Sequence, residues 1–347
     1  MQTRKWIDQL SEQGTLPVEG YRALLESVDA ELSDYLFSRA RELTELNFGR
    51  QVYVRALIEI TNRCRNNCLY CGIRASNREV ERYSLSREEI LESCRIGYDL
   101  GFRTFVFQGG EDPKMSNEWI AETVSQVRQK YTDVAITLSL GEKPREVYQQ
   151  FLDAGANRYL LRHESRNAEH YSFLHPSTMS IESRLQALDD LKAVGFQTGT
   201  GIMVGSPGQS IENIIEDIEF IESFKPEMIG IGPFIPHHAT PLAKCDAGSV
   251  ELTLKLIAIF RLMHPKALIP STTALATLAE DGRERGILAG ANVVMPNVSP
   301  QYVRSSYLLY DNKVAFGAES AEGLSRLSER LSAIGYSINY GRGDYKK

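Results

Sequence analysis

The 347-residue sequence lacks the features of several protein classes. It has no apolar run near the roughly 18 residues that a membrane span requires, and its first residues include no apolar segment of the signal-peptide kind. Lys and Arg number 39 against 45 Asp and Glu, which gives a net charge of −6. No basic block marks a nucleic-acid binder. We therefore expect a cytoplasmic protein that binds neither nucleic acid nor a membrane.

Cysteine is also scarce, and it is unevenly placed. The five cysteines stand at positions 64, 68, 71, 94 and 245, and an odd number with three crowded together makes a poor disulfide framework. Clustered thiols in a reducing compartment usually indicate metal binding or redox chemistry. Cys94 and Cys245 stand alone, and we interpret them as packing residues.

Short β-like runs alternate with amphipathic helical segments along most of the sequence. Eight runs rich in Val, Ile, Leu, Phe and Thr occur at 52–60, 102–109, 134–140, 158–164, 196–205, 228–235, 267–274 and 291–296. Apolar residues at helical spacing fill the intervals, as in 210–224. This unit count favours an α/β fold of the (β/α)8 TIM-barrel type over a doubly wound open sheet, which alternates in the same way.

Three regions of one structural unit follow from this pattern. Residues 1–50 are predicted to form an N-terminal helical extension packed on the barrel. The barrel itself is expected to span 51–300. Residues 301–347 are predicted to form a C-terminal cap with a helix near 320–334, since no linker composition separates any of these regions.

The pattern Cys-x3-Cys-x2-Cys, formed by Cys64, Cys68 and Cys71, follows the first predicted strand directly. Barrels of this type carry their chemistry at the carboxyl ends of the strands. A structural zinc site takes four ligands, typically as two separated pairs, and no second pair exists here. Three cysteines on a 4Fe–4S cube leave one iron free to bind a small molecule. The pattern predicts such a cluster, with an incidental thiol group or a zinc site as alternatives.

With the aromatic Tyr70 before the last cysteine, this motif resembles the signature of the radical S-adenosylmethionine (SAM) superfamily. The resemblance implies an enzyme with one 4Fe–4S cluster on the three cysteines and SAM bound to the open iron. It further implies a low-potential electron donor and anaerobic chemistry, in which one electron splits SAM and releases a 5′-deoxyadenosyl radical inside the barrel. No catalytic side chain beyond the cluster and SAM is implied.

Further residues match positions that hold SAM in this superfamily. Gly109, Gly110 and Glu111 resemble the Gly-Gly-Glu motif that contacts the SAM amino group. Alternation along the strand 158–164 puts Arg162 and Glu164 on one face near its carboxyl end, where they suit the SAM carboxylate and ribose. An outward structural ion pair is the alternative. The full set of expected SAM contacts is Tyr70, Gly109, Gly110, Glu111, Arg162, Glu164, Arg184 and Met228.

Polar residues late in their βα units are candidates for the substrate end of a closed chamber. Hydroxyls in such a chamber could bind a small carboxylate or an amino acid. Satisfied barrel hydroxyls are the alternative for the two residues of the third strand, and outer packing is the alternative for the tyrosine. The candidates are Gln108, Thr137, Ser139, Thr272, Thr273, Met295, Arg304 and Tyr307.

Within the superfamily, nearly the whole chain resembles the HydE-type maturases of FeFe hydrogenases, in the biotin synthase-like branch. The segments that carry this likeness are 1–60, 138–142, 158–164, 201–210, 230–237, 269–274 and 291–297. The resemblance implies maturation of the diiron subcluster, with an organometallic iron–cysteine complex as substrate and companion maturases as candidate partners. A radical SAM aminomutase of the methylornithine synthase type, and a non-enzymatic iron–sulfur scaffold or redox sensor, are the alternatives.

Cysteines for a second cluster are missing from the sequence. Biotin synthase ligates another cluster inside its barrel, and no predicted strand here carries an inward-capable cysteine. Some HydE proteins hold an accessory cluster near the C-terminus, whereas the matching stretch 313–320 contains no cysteine. We therefore predict a single cluster and no sulfur insertion.

Overall fold

The computed structural model describes residues 2–314 and 317–346. Within them, no helix combines the length and the apolar character needed to cross a membrane. The strands are β1 (Gln51–Val54), β2 (Ala56–Thr61), β3 (Thr104–Gly109), β4 (Ala135–Ser139), β5 (Arg158–Leu160), β6 (Gln197–Val204), β7 (Met228–Pro233), β8 (Val293–Val294) and β9 (Ser337–Asn339).

The helices surround and flank these strands. The α-helices are α1 (Gln2–Gln13), α2 (Val18–Glu26), α3 (Ala30–Phe48), α4 (Arg87–Asp99), α5 (Asn117–Lys130), α6 (Arg145–Asp153), α7 (Ala168–Leu174), α8 (Ile181–Val194), α9 (Ile211–Phe224), α10 (Val250–Met263), α11 (Thr273–Leu278), α12 (Gly282–Leu288), α13 (Gln301–Arg304) and α14 (Leu324–Ala333). Two short 3-10 helices lie at Gly317–Glu319 and Ala321–Gly323.

Parallel strands close into a ring. β2 to β7 pair in chain order as one sheet, and β8 pairs in parallel with β1. Residues 268–270 close the remaining gap, because Leu268 bridges Met228 of β7 and Pro270 bridges Val293 of β8. The chain therefore forms the expected (β/α)8 barrel, although its seventh member is a pair of isolated bridges rather than the predicted strand.

Alternation along the strands sorts side chains between the helical layer and the barrel interior. Ile58 and Ile60 of β2 pack in the hydrophobic core with residues of the surrounding helices, such as Val124 of α5. Glu59 between them is fully buried and faces the interior. Each large apolar side chain buried in this layer stabilises the fold by about 1.5–3 kcal/mol.

Local sequence signals define several helix ends. Ser86 and Glu89 form the predicted capping box at the start of α4: the Ser86 amide donates to the Glu89 carboxylate at 2.7 Å, and the Glu89 amide donates to the Ser86 hydroxyl at 3.2 Å. The N-terminal helices α1, α2 and α3 pack on α10. Together they form a second hydrophobic core that includes Leu24, Leu36 and Phe260.

Residues 337–346 cover the amino-terminal end of the barrel. β9 pairs in parallel with β1, where Gln51 stands opposite Ser337. Beyond β9, Asp344 binds the fully buried Arg158 at 2.7 Å, and the Thr104 hydroxyl donates to Arg342 O at 2.8 Å. We call residues 341–346 the floor segment, because they close the end of the barrel opposite the cysteines.

The fifth strand is shorter than predicted. The run 158–164 forms a strand only over Arg158–Leu160, and Glu164 has a left-handed φ of 65°. The backbone rejoins β6 through a bridge between Glu164 and Ile202. Arg162 and Glu164 therefore stand on an irregular segment at the carboxyl end, while Arg158 belongs to the opposite end of the barrel.

Candidate metal centre

The three clustered cysteines lie on the loop that follows β2, at the carboxyl end of the barrel. All three are free thiols and are partly buried. Backbone hydrogen bonds hold the loop: the Ala75 amide donates to Asn66 O at 2.8 Å, and the Leu69 amide donates to Leu174 O at 2.9 Å. The loop thus presents three sulfurs at a fixed place above the interior.

The pKa values of these thiols indicate that the three cysteines lie near one another. Burial, and then the charge of Cys64, raise the pKa of Cys68 to about 12. Burial, and then the charge of Cys68, raise the pKa of Cys71. The three Sγ atoms do not all lie within 4.8 Å of one another, since in residues 2–314 and 317–346 only His237, His238 and Asp311 meet that limit.

This spacing distinguishes between two kinds of metal centre. A tetrahedral zinc ion with bonds of about 2.3 Å requires thiolates roughly 3.8 Å apart. Because Cys64, Cys68 and Cys71 do not meet the 4.8 Å limit, they do not form a ready site for one ion in the described residues, whereas three separate irons of a cube each take one thiolate. The donor set therefore fits an iron–sulfur cluster with three protein ligands.

Gly110 lies directly against the cysteine loop. A Cβ at this position would stand 2.3 Å from Arg63 O and 2.8 Å from the Cys64 Cβ. Both approaches are too short for any larger residue without moving the backbone. The Gly-Gly turn after β3 therefore supports the cysteine loop through close backbone contact.

The Glu111 carboxylate fastens the same loop. It accepts hydrogen bonds from Arg65 Nε at 2.9 Å and from Asn66 Nδ2 at 2.9 Å. Gly141, with a φ of 76°, leaves it room, because a Cβ there would lie 2.2 Å from Glu111 Oε1. The Glu111 carboxylate thus binds the loop that carries the cysteines, and its contact to SAM stays a prediction.

Arg162 and Glu164 form an ion pair of 2.9 Å beside this loop. Arg162 Nε is buried and has no hydrogen-bond partner within the described residues, whereas Glu164 Oε2 is the oxygen that meets Arg162 Nη2 in the ion pair. Arg184 lies behind them: its Nη1 donates to Arg162 O at 2.5 Å and its Nε binds Glu142 at 2.5 Å. Arg162 and Glu164 can therefore offer polar atoms to a ligand, while Arg184 positions Arg162.

Further polar side chains are buried inside the barrel, and we call the part of the interior that they border the chamber. The hydroxyls of Thr137 on β4 and Thr272 before α11 are also buried without a hydrogen-bond partner in the described part of the chain. Gln108 Nε2 donates to the Tyr307 hydroxyl at 3.4 Å. Buried polar groups in native proteins are nearly always paired, so atoms that the protein leaves unpaired indicate contacts to a polar ligand.

Some predicted contacts lie outside this chamber. Met228 is the first residue of β7, at the amino end, where Arg55 Nη1 contacts its sulfur at 3.4 Å. Arg304 binds Glu322 through both nitrogens at 2.7 and 2.9 Å. The Thr273 hydroxyl donates to Glu319 at 2.8 Å. These three side chains make other contacts within the protein, and their contacts to a ligand stay predictions.

The remaining candidates divide between the loop and the barrel. The Tyr70 hydroxyl lies 3.2 Å from His175 Nε2, and its ring packs with Leu174 and Phe234 under the cysteine loop. Ser139 ends β4 and is half-buried. Met295 packs against the apolar cluster of Met228, Leu268 and Val293, and its contact to a substrate stays a prediction.

Three chamber residues were missed by sequence reasoning. Glu59 is fully buried inside the barrel, where Lys313 and Asn297 bind its two carboxylate oxygens. A signal for Glu59 existed, because a charge inside an apolar strand such as 52–60 requires a buried partner. Nothing in the sequence pattern identified Lys313 or Asn297 as those partners.

The chain is similar in sequence and in structure to several known proteins. Residues 58–221 match the Radical SAM superfamily. The chain is 43% identical over 314 residues to the [FeFe] hydrogenase maturase subunit HydE of Thermotoga maritima, covering 90% of this chain and 89% of that protein. It is 31% identical to the 3-methylornithine synthase of Methanosarcina acetivorans, covering 83% of each chain. The crystal structure of methylornithine synthase (PylB) superposes with a TM-score of 0.86 at 28% identity, covering 96% of this chain and 97% of that one.

Proposed function

Because this chain belongs to the radical SAM superfamily and is an enzyme of that class, we propose that it acts as a HydE-type maturase in the assembly of the diiron subcluster of FeFe hydrogenases. The observation that carries the proposal is the 43% identity to a HydE protein along 90% of the chain. The chamber supports it, since Thr137 and Thr272 offer unpaired hydroxyls beneath the cysteine loop.

Cys64, Cys68 and Cys71 would hold the 4Fe–4S cluster of this enzyme. When bound, the cluster and SAM together supply one-electron reductive cleavage of a carbon–sulfur bond of SAM. Arg162 carries an unpaired Nε beside the cysteine loop, and its ion pair with Glu164 puts a guanidinium next to a carboxylate, which suits the carboxylate and ribose hydroxyls of SAM. Glu111 and Gly110 keep the cysteine loop in place for that contact.

The substrate end is assigned to the interior below SAM. Thr137, Thr272 and the Gln108–Tyr307 pair surround it with hydrogen-bonding atoms. A Cβ at Gly230 would stand 3.7 Å from Arg162 Cδ, so the missing side chain on this wall leaves space beside the arginine. A small iron complex that carries cysteine would find both room and polar partners here.

SAM cleavage provides the first test. The protein is reconstituted anaerobically with iron and sulfide, reduced with dithionite and given SAM, and 5′-deoxyadenosine is measured. We expect the iron–cysteine complex to accelerate its formation and lysine to have no effect. Cys68→Ala should lower the product to background because one iron ligand is lost, whereas Cys245→Ala, which removes an isolated thiol, should retain activity.

Two outcomes would contradict this proposal. Acceleration by lysine alone would favour the aminomutase alternative, which the likeness to 3-methylornithine synthase keeps in view. A yield from the wild type no higher than from Cys68→Ala would favour the scaffold or redox-sensor alternative.

A further inference from the structure

Residues 306–314 cross the mouth of the barrel, and we call them the strap. The Asn62 side chain donates to Ser306 O at 2.6 Å, and the Gly72 amide donates to Leu309 O at 2.8 Å. On the far side, the Asp311 amide donates to Pro236 O at 3.0 Å. The first two contacts come from the cysteine loop and the third from the loop after β7, so the strap bridges separate parts of the rim.

One side chain of the strap reaches into the interior. The Lys313 ammonium binds the Glu59 carboxylate, and it donates to Tyr307 O at 2.9 Å. Its nitrogen lies 4.7 Å from the centre of the Tyr307 ring. The Lys313 side chain is 8% exposed and that of Glu59 is 0% exposed, so this ion pair is shielded from water.

The Glu59 carboxylate is fully partnered in this arrangement. Asn297 Nδ2 donates to one oxygen at 2.8 Å while Lys313 binds the other. Removing one member of a buried ion pair leaves a charge without compensation, which is costly in the native state. Loss of Lys313 would therefore favour entry of water to Glu59 and release of the strap.

The position of Tyr307 depends on the same contacts. Its carbonyl oxygen and its ring both face the Lys313 ammonium, and its hydroxyl accepts from Gln108 of β3. The lysine thus links a strap residue on the chamber wall to the barrel strand beneath it. Glu59 of β2 and Gln108 of β3 are neighbours in the sheet.

We propose that Lys313 is a positioning residue that holds the strap closed over the chamber through Glu59 and keeps Tyr307 in the chamber wall. Only the identification of this chamber as the reaction chamber rests on the proposed function. The closure itself rests on the contacts of Lys313, Glu59 and Tyr307.

Hydrogen–deuterium exchange of the reconstituted holoprotein tests the closure. In Lys313→Met we expect exchange in peptides covering 306–314 and 69–74 to accelerate by about tenfold or more, because the strap opens more often. Lys313→Arg should restore protection, since it keeps the positive charge on a long side chain. Lys266→Met, an exposed lysine near the amino end of the barrel, is the control. Peptides of α9 should exchange at wild-type rates in every variant.

A second variant keeps the test valid if Lys313→Met does not fold. Glu59→Gln/Lys313→Ala removes both charges, so no buried ion remains uncompensated. Its strap should exchange as rapidly as that of Lys313→Met. Wild-type protection of 306–314 in both variants, or in whichever of the two folds, would overturn the proposal.

Kinetics separate this inference from the proposed function. Lys313→Met should raise the KM for the iron–cysteine substrate, and Lys313→Arg should recover it. Lys266→Met should leave both this KM and SAM cleavage without substrate at the wild-type values. A wild-type protein that does not cleave SAM would contradict the proposed function and leave the exchange result intact. An unchanged strap in a protein that cleaves SAM would contradict only the role of Lys313.

Discussion

The Tyr70 hydroxyl and the His175 ring form a hydrogen-bonded pair beside the cysteine loop. His175 Nδ1 lies 2.8 Å from Tyr171 O and therefore carries the proton in the neutral ring. Nε2 is then the acceptor for the Tyr70 hydroxyl at 3.2 Å. Burial lowers the pKa of His175 to about 3, so the ring stays neutral and this tautomer persists.

Stability should fall on mild acidification because native His175 resists protonation. The unfolded chain binds this proton near pH 6.5, while the native pKa is about 3. The stabilising contribution is complete above about pH 6.5 and is lost as the pH falls toward 3, at up to about 1.4 kcal/mol per pH unit. His175→Gln should therefore flatten the decline of Tm between pH 7 and 5, measured by circular dichroism.

His238→Gln is the matched control for that measurement. His238 is exposed, and its hydrogen bond to Asp311 raises its pKa. The contribution of His238 to folding stability is therefore present at low pH and is lost as the pH rises, which is the opposite of the pH dependence expected for His175. The same acid slope in wild type and His175→Gln would contradict the assignment.

At the scale of elements, the floor segment compensates a charge that β5 buries. Arg158 is fully buried, and Asp344 at 2.7 Å is its carboxylate partner. Asp344→Asn should lower the free energy of unfolding by about 1–3 kcal/mol, because it leaves the guanidinium without a counter-charge. Urea unfolding measures this loss. The control is Asp189→Asn on the exposed face of α8, which should change the free energy of unfolding by less than about 0.5 kcal/mol. Equal effects of the two substitutions would contradict the role of Asp344.

The elements also show where sequence patterns succeed and fail. The strands β3, β4, β6 and β7 lie inside their predicted runs, and β2 ends one residue beyond its run, because alternation and β-branched residues act locally. Within the run 267–274, Leu268 and Pro270 form only isolated bridges, since Pro270 has no amide hydrogen to donate, and residues 273–274 already belong to α11. β9 has three residues and depends on pairing with β1 at the other end of the sequence, so no local pattern predicted it.

For the molecule as a whole, the placement of the cysteines predicts one cluster per chain. Cys94 is fully buried in the core and Cys245 packs against a small apolar cluster. The reconstituted protein should contain about four irons per chain. The triple variant Cys64→Ala/Cys68→Ala/Cys71→Ala should contain none, as measured by iron analysis and Mössbauer spectroscopy. Iron that survives in the triple variant would indicate a second site.

The site could be predicted from the sequence only in part. The three cysteines, Arg162 and Glu164 were identified because motif spacing and family likeness are local signals. A strand run does not say which of its residues reaches the rim, so the sequence did not show that Met228 begins β7 at the amino end of the barrel. Lys313 meets Glu59 across 254 positions, and such pairs arise from tertiary packing alone.

The pairing of β1 between β8 and β9 has a consequence for biosynthesis. The first strand emerges early from the ribosome, yet one of its neighbours is translated only after all the barrel helices. Pairings so distant in sequence form slowly and leave strand edges exposed in the meantime. A nascent chain halted near residue 300 would carry an unpaired edge on β1 and a bare Arg158 guanidinium, which makes it a natural client for chaperones.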